Sequence, residues 1–376
     1  MVARTLVSVL SLAVAAATQT FIVDSASGPG TNFTDIPPAV AAVPDGAVLL
    51  VRPGNYSQFT IDGKSLAVLG EPGAAVASAL GPTIVNLLPH QAVVLRALDL
   101  ASPLGSGFPV GVTCLNNQGV VRLASLRTAP GLHGLSVQQC DSVFVDDCTF
   151  HRQATLVAST VVFTNCSLNA SMLVMSPALV QQGGRTQLVG CQVAGLTPPQ
   201  QPFVSPIQLN GGDVRVLGGG VVASYALLGL PSAAITGTGT VRLDPSVSVQ
   251  GGPQLFAPGI TATVQAMPHV TATGGLLGGT STAALHGPNG HLGVLAVGFA
   301  GPEIDLPSVF GDPLFWAQGT AVTLSAGVPA PSQPVTGQVA IPGNPVFVGL
   351  QLLYQGITWD AAAGLQISNP AVGVVR

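Results

Sequence analysis

Charged side chains are scarce in this chain, so the place where polar residues gather is the place to look for chemistry. His133, Gln138, Gln139, Asp141, Asp146, Asp147, His151 and Arg152 fall within one short stretch, 133–152. Asp141, Asp146 and Asp147 are the residue type that holds calcium, a hard cation that takes oxygen ligands. A cation there would neutralise an anionic ligand while Asp146, Asp147 and Arg152 carried the catalytic proton transfers. His133, Gln138, Asp141 and His151 would bind the ligand. An arginine base would need a strongly altered environment, because an ordinary guanidinium stays protonated far above neutral pH. The structural alternative is that Asp147 occupies a turn with Asp146 as its exposed neighbour. Arg96, Arg122, Arg215 and Arg242 stand at equivalent or adjacent places in a repeat, which reads as covering strand surfaces rather than acting as bases. No Ser-His-Asp order, nucleophile elbow, phosphate loop, dinucleotide fingerprint or zinc spacing stands out.

The stretch 142–150, SVFVDDCTF, shows what positions these groups. Val143 and Val145 alternate inward, Asp146 and Asp147 turn a corner, and Cys148 and Phe150 return inward. The phrase recurs as VVLRALDL (93–100), VRLASLRT (121–128), VVFTNCSL (161–168), TQLVGCQV (186–193) and VRVLGGGV (214–221). Weaker copies begin at Leu66 and Val241, so successive copies start 18 to 28 residues apart. A period-two strand pattern at that interval marks a β-solenoid, in which each coil buries its apolar side against the next. The corner position reads Ala97, Ser125, Asp147, Asn165, Gly190, Gly218 and Pro245. Asp, Asn and Gly accept left-handed backbone geometry, as a column of tight corners requires. Cys148, Cys166 and Cys191 interchange with Leu98, Leu126 and Gly219, which predicts buried free thiols. Cys114 and Cys140 lie outside that column and are the better disulfide candidates.

Only 7% of residues are charged, 47% are hydrophobic, and the net charge is −4 with Lys64 as the single lysine. No basic patch exists, which argues against nucleic acid and anionic membrane as partners. Residues 1–17 read as a secretion signal: Arg4 starts it, 6–16 is apolar, and Ala15, Ala16 and Ala17 offer a small-residue cleavage site. That run is too short to span a bilayer, and so is the most apolar later segment, 292–300, so the mature chain is expected to carry no transmembrane segment and to be secreted or on the cell surface.

The solenoid is expected over 18–251, and 252–259 reads as a linker. Near its start, Thr34 or Asp35 can cap a short helix running through Val43, with Pro37 in the first turn, as a lid on the first coil. From 260 to 376, short apolar stretches at 262–265, 293–298, 322–324, 346–353 and 365–367 suggest a small β-sandwich, an end-cap and surface module.

The residues Phe33, Thr34, Ile36, Ala39, Val40, Pro44, Gly46, Val51, Pro53, Gly54, Tyr56, Leu66, Leu69 and Gly70 resemble the opening of secreted pectin-lyase-like proteins. The resemblance implies an all-β chain: a right-handed parallel β-helix followed by the sandwich. Residues 143–148 are similar to the pectate-lyase order Val-Trp-Ile-Asp-His-Cys, with Phe144 in place of tryptophan and Asp147 in place of histidine. That family's arginine–proline–arginine motif is absent. The ending, with Tyr354, Gln355, Gly356, Asp360, Gly364, Leu365, Ser368, Asn369 and Val374, resembles a C-terminal module of secreted planctomycete proteins. The superfamily holds lyases, hydrolases, esterases and non-catalytic adhesins, so fold does not decide function. The expected function is a surface or carbohydrate-interaction module whose partner is a polysaccharide or a cell-envelope component. The alternative is a calcium-assisted polysaccharide lyase using 133–152.

Overall fold

The computed structural model describes residues 19–77, 80–101, 111–128, 134–170, 176–195, 205–224, 233–250, 255–304, 314–316, 320–330, 333–362 and 364–375. The expected leader at 1–17 and His133 lie outside the described residues. The chain is nearly all β, and its first part winds into a parallel solenoid with three faces. One coil shows the plan. Leu135–Gln138 lies on the third face, Ser142–Asp146 on the long face and Thr149–Phe150 on the short face. Each strand pairs parallel with its counterparts one coil away, and Val143 sits opposite Val121 and Val161. The expected inward set is in place: Val143, Val145, Cys148 and Phe150 are all buried in one core with Leu98, Leu100, Leu126 and Val193.

The corners follow from backbone sterics. Ala97, Ser125, Asp147 and Asn165 have φ of 51–52°, and Gly190 and Gly218 continue the column at 62° and 67°. Pro245 cannot follow them, because its ring fixes φ near −65°. That coil turns instead through a tied bend in which Asp244 Oδ1 accepts from Ser246 N at 3.0 Å. At Gly218 and Gly219 the corner holds one residue more than its neighbours, so Gly220, rather than Gly219, stacks beside Cys191. A second left-handed column, Asn86, Asn116, Gln139, Ala158 and Gly183, turns the third face into the long face. All five cysteines are buried free thiols, Cys114 and Cys140 included.

The helix Ile36–Ala42 is capped by Asp35, whose carboxylate accepts from Ile36 N at 2.8 Å. It buries Ile36, Ala39 and Val40 and covers the first coil as expected. At the other end the parallel ladder outlasts the repeated phrase. Ile260–Val264 pairs parallel with Ile235–Leu243, so the stretch expected at 262–265 extends the solenoid instead of opening the sandwich.

The sandwich packs a three-stranded antiparallel sheet (His269–Ala272, Thr280–His286, Val335–Ala340) on a second sheet built around Leu292–Ile304 and Gln351–Asp360. Val270, Leu285, Leu295, Leu352 and Tyr354 form the core between them. Within the expected strand 346–353, Pro345–Phe347 is a 3-10 turn and the strand starts at Gln351.

The sandwich does not cap the end of the solenoid; it lies along its side. Val348 packs with Val48, Ala67, Leu69 and Val94, whereas Leu353 and Phe315 pack with Val120, Phe144 and Val162. The strand Gln351–Asp360 therefore climbs the long face across its coils. Ten residues of strand and seven coil spacings both measure about 34 Å, so this strand can follow the face from Ala67 to Arg242.

Candidate binding cleft

The described part of the expected cluster, 134–152, runs around the solenoid through all three faces, so sequence neighbours come out on different sides. Gln138 is exposed at the end of the third face, its Nε2 donating to Ser136 Oγ at 3.3 Å. Asp141 lies at the following corner. There it lines a shallow groove of about 410 Å³ with Asn86, Asn116, Gln118 and Gln139, and desolvation raises its carboxyl above the ordinary value. Asp146 stands at the far end of the strand Ser142–Asp146, about 17 Å from Asp141. Asp147 occupies the left-handed corner and accepts from Ser125 Oγ at 3.1 Å. His151 and Arg152 lie after the short face, with His151 N donating to Thr128 Oγ1 at 3.1 Å. Among the described residues no three His, Cys, Asp or Glu side chains converge on one point that could hold a metal ion.

Asp146 has a different partner. Its Oδ2 accepts from Arg122 Nη2 at 3.2 Å, and the same nitrogen donates to Val372 O of the sandwich. Arg122 is buried, with Nε and Nη1 lacking any partner. Burial pulls its guanidinium down to about 10, partly countered by the Asp146 charge, so it remains a cation at neutral pH. The pair pins the sandwich to the solenoid.

A different site emerges by following the long face outward. One column of outward residues reads Val48, Ala67, Val94, Arg122, Phe144, Val162, Gln187, Arg215, Arg242 and Thr263 from the first coils to the last. The sandwich covers the apolar part. Where the column turns polar, a cleft opens. Gln187, Arg215 and Arg242 form one wall of a cavity of about 150 Å³; Met267, Gln366, Ile367 and Asn369 face them. Alongside lies an open groove of about 490 Å³ lined by Thr160, Arg185, Asp213, Arg215, Thr240 and Arg242.

The backbone makes room for this groove. The strands Ile207–Leu217 and Ile235–Leu243 run through two faces, with a register shift between Asn210 and Asp213. Gly211 and Gly212 have φ of 91°, a region other residues avoid, and a Cβ on Gly212 would lie 2.6 Å from Gly184 O. Asp213 is the carboxylate inside the groove. Its Oδ2 accepts from Arg215 Nε at 3.0 Å, and its Oδ1 lies 3.7 Å from Arg242 Nε. Three arginines against one aspartate leave the lining two charges positive.

Beyond the cleft the sandwich strand keeps its apolar side. Leu353 touches the solenoid, Ile357 pairs with the cavity-lining Ile367, and Trp359 follows two residues later on the same side. Trp359 is 46% exposed, flanked across the sheet by exposed Leu292 and Leu365. The equivalence of Arg215 and Arg242 was readable in the sequence; the cleft facing them was not.

The chain matches no protein family, no curated protein and no solved structure. No helix among the described residues is long and apolar enough to cross a membrane.

Proposed function

We propose that this protein is an extracellular binding module that holds a polysaccharide chain along the cleft between its solenoid and its sandwich. The observation that carries this reading is the outer column of the long face, covered where it is apolar and left open where Gln187, Arg215 and Arg242 take over. An open groove beside an exposed tryptophan shelf suits a sugar polymer. Guanidinium and carboxamide groups hydrogen-bond hydroxyls, and an aromatic face packs on a pyranose ring. A β-helix is consistent with an extracellular role, and the leader-like residues 1–17 support export. A calcium-assisted lyase at 133–152 gains no support from the geometry, because Asp141 and Asp146 stand at opposite ends of one strand and Asp146 pairs with Arg122.

The test is retention of the full chain on immobilised polysaccharides, charged and neutral, compared with the Trp359→Ala variant. Retention on at least one polymer, weakened by that substitution, is expected. No retention on any of them overturns the reading. Release of unsaturated sugar products, lost in Asp147→Ala, would establish the lyase instead.

A further inference from the structure

The cleft's chemistry narrows the ligand, provided the cleft is a saccharide site. Arg215 and Arg242 sit opposite each other in adjacent coils, and both line the enclosed cavity and the open groove. Like charges directly opposite on neighbouring strands repel, and one carboxylate, Asp213, lies between the two arginines. Arg185 adds a third positive charge to the groove, and among the described residues the lining of the enclosed cavity contains no carboxylate. The cavity is not purely cationic. Gln187, 3% exposed, and Gln366 both line it, and the Oε1 of each is buried without a hydrogen-bond partner. A buried carbonyl oxygen without a donor gives up the hydrogen bond it had in water, so these two oxygens call for a hydroxyl or amine group.

We propose that this cavity is a subsite for an anionic sugar: a ring carrying one oxyanion, carboxylate or sulfate ester, together with free hydroxyls. The oxyanion meets the Arg215–Arg242 pair, where forked N–H donors match its geometry. The hydroxyls donate to Gln187 Oε1 and Gln366 Oε1. A bare inorganic anion satisfies the first requirement and not the second, whereas a neutral sugar satisfies the second and not the first. Neighbouring rings of the polymer extend toward Arg185 on one side. On the other they reach the Trp359 shelf, about 7 Å along the strand from Ile357.

The experiment is calorimetric titration of the full chain with four probes: a carboxylated oligosaccharide, a sulfated oligosaccharide, a neutral oligosaccharide and sodium sulfate. Binding of a charged oligosaccharide is expected at least tenfold tighter than of the neutral one, and weaker as salt rises. The two charged arms tell carboxylate from sulfate ester. Arg242→Gln, at a half-exposed position, should weaken that binding at least tenfold, while Arg127→Gln on the exposed short face should not. Arg215→Gln should do the same, with its fold checked by circular dichroism. Equal affinity for the neutral oligosaccharide overturns the anionic subsite while leaving the polysaccharide-binding function standing. Sodium sulfate binding as tightly as the charged oligosaccharide overturns the sugar requirement. Binding of a charged oligosaccharide with no retention on any polymer supports the subsite and removes the polymer function.

Discussion

The two halves of the long face carry one continuous column of paired outward positions, yet they meet the sandwich differently. In the coils around Val120, Phe144 and Val162 both sides of the strand are buried, the inner side in the solenoid core and the outer side under Leu353 and Phe315. Over the next three coils the outer positions are Gln187, Arg215 and Arg242, and the sandwich stands off to leave a cleft. The outward column keeps its pairing through both halves, while the corner leading into the open half is reshaped at Gly211 and Gly212; the outward side chains then decide whether the surface is closed or available. Function in a solenoid is thus written on the side that the repeat does not specify.

The sharpest way to break this comparison is to open the covered half. Phe144 is 4% exposed and meets the Phe315 ring edge-on at a centroid distance of 5.4 Å. Phe144→Ala should destabilise the protein by about 3 kcal/mol, the loss typical of a buried phenylalanine. Chemical denaturation measures this, and a loss below about 1 kcal/mol would mean that the sandwich does not depend on this face.

The next effect concerns the pin between the halves. Asp146→Ala would leave Arg122 as a buried cation whose remaining partner is Val372 O. Breaking a fully buried pair is worth about 3–5 kcal/mol, but the Asp146 side chain is 35% exposed, so about 2 kcal/mol is expected. The same variant should retain oligosaccharide binding. If it kept full stability and lost binding, Asp146 would belong to a site after all.

The inner surface of this fold was legible from sequence, and the outer surface was not. Inward alternation and corner chemistry repeat with every coil, so Val143, Cys148 and Asp147 could be placed by comparing copies. The docking of the sandwich depends on contacts between residues some two hundred positions apart, such as Phe144 with Phe315 and Arg122 with Val372, and no repeat marks them. One signal was present. The runs Val93-Val94-Leu95, Val143-Phe144-Val145 and Val161-Val162-Phe163 are apolar on both sides of the strand, the pattern of a sheet covered on both faces. Candidate chemistry was sought where polar residues are dense along the chain. In a solenoid, spatial neighbours lie one repeat apart, as Arg185, Arg215 and Arg242 do, and a dense stretch is spread around the circumference.

A smaller effect separates the sandwich from the solenoid by pH. His269 stacks on His286 with ring centroids 4.7 Å apart, and its Nδ1 is buried without a partner. Burial lowers the His269 pKa below 6.5, and the neighbouring His286 adds to the shift. The unfolded chain therefore binds the proton more readily, so the contribution to stability is fully present above pH 6.5 and lost as pH falls below it. Thermal unfolding followed between pH 7.5 and pH 5 should show a falling Tm that His269→Gln flattens. An equal fall in the variant would place the acid-sensitive group elsewhere.

The smallest expected change is the one that decides what the arginines of the open half are for. If Arg242 served to cover strand surface, removing its long stem would strip packing from the last coils, and Arg242→Gln would destabilise by about 1 kcal/mol or more. The geometry points the other way. Its side chain is 37% exposed, and Nε lies 3.7 Å from Asp213 Oδ1, too far for a hydrogen bond. The attraction it gives up is thus a screened one, worth about 0–1 kcal/mol. Against that stands its repulsion with Arg215, directly opposite in the next coil, which the substitution relieves. Arg215 keeps its own bond to Asp213 at 3.0 Å, so no buried charge is stranded. The two changes nearly cancel, and stability should move by no more than about 0.5 kcal/mol in either direction. Denaturation of Arg242→Gln beside Phe144→Ala tests this directly. A near-zero change, accompanied by lost oligosaccharide binding, means that the arginine is held in place against its neighbour's charge for the sake of a ligand. A loss comparable to that of Phe144→Ala would make the open half a structural surface like the covered one.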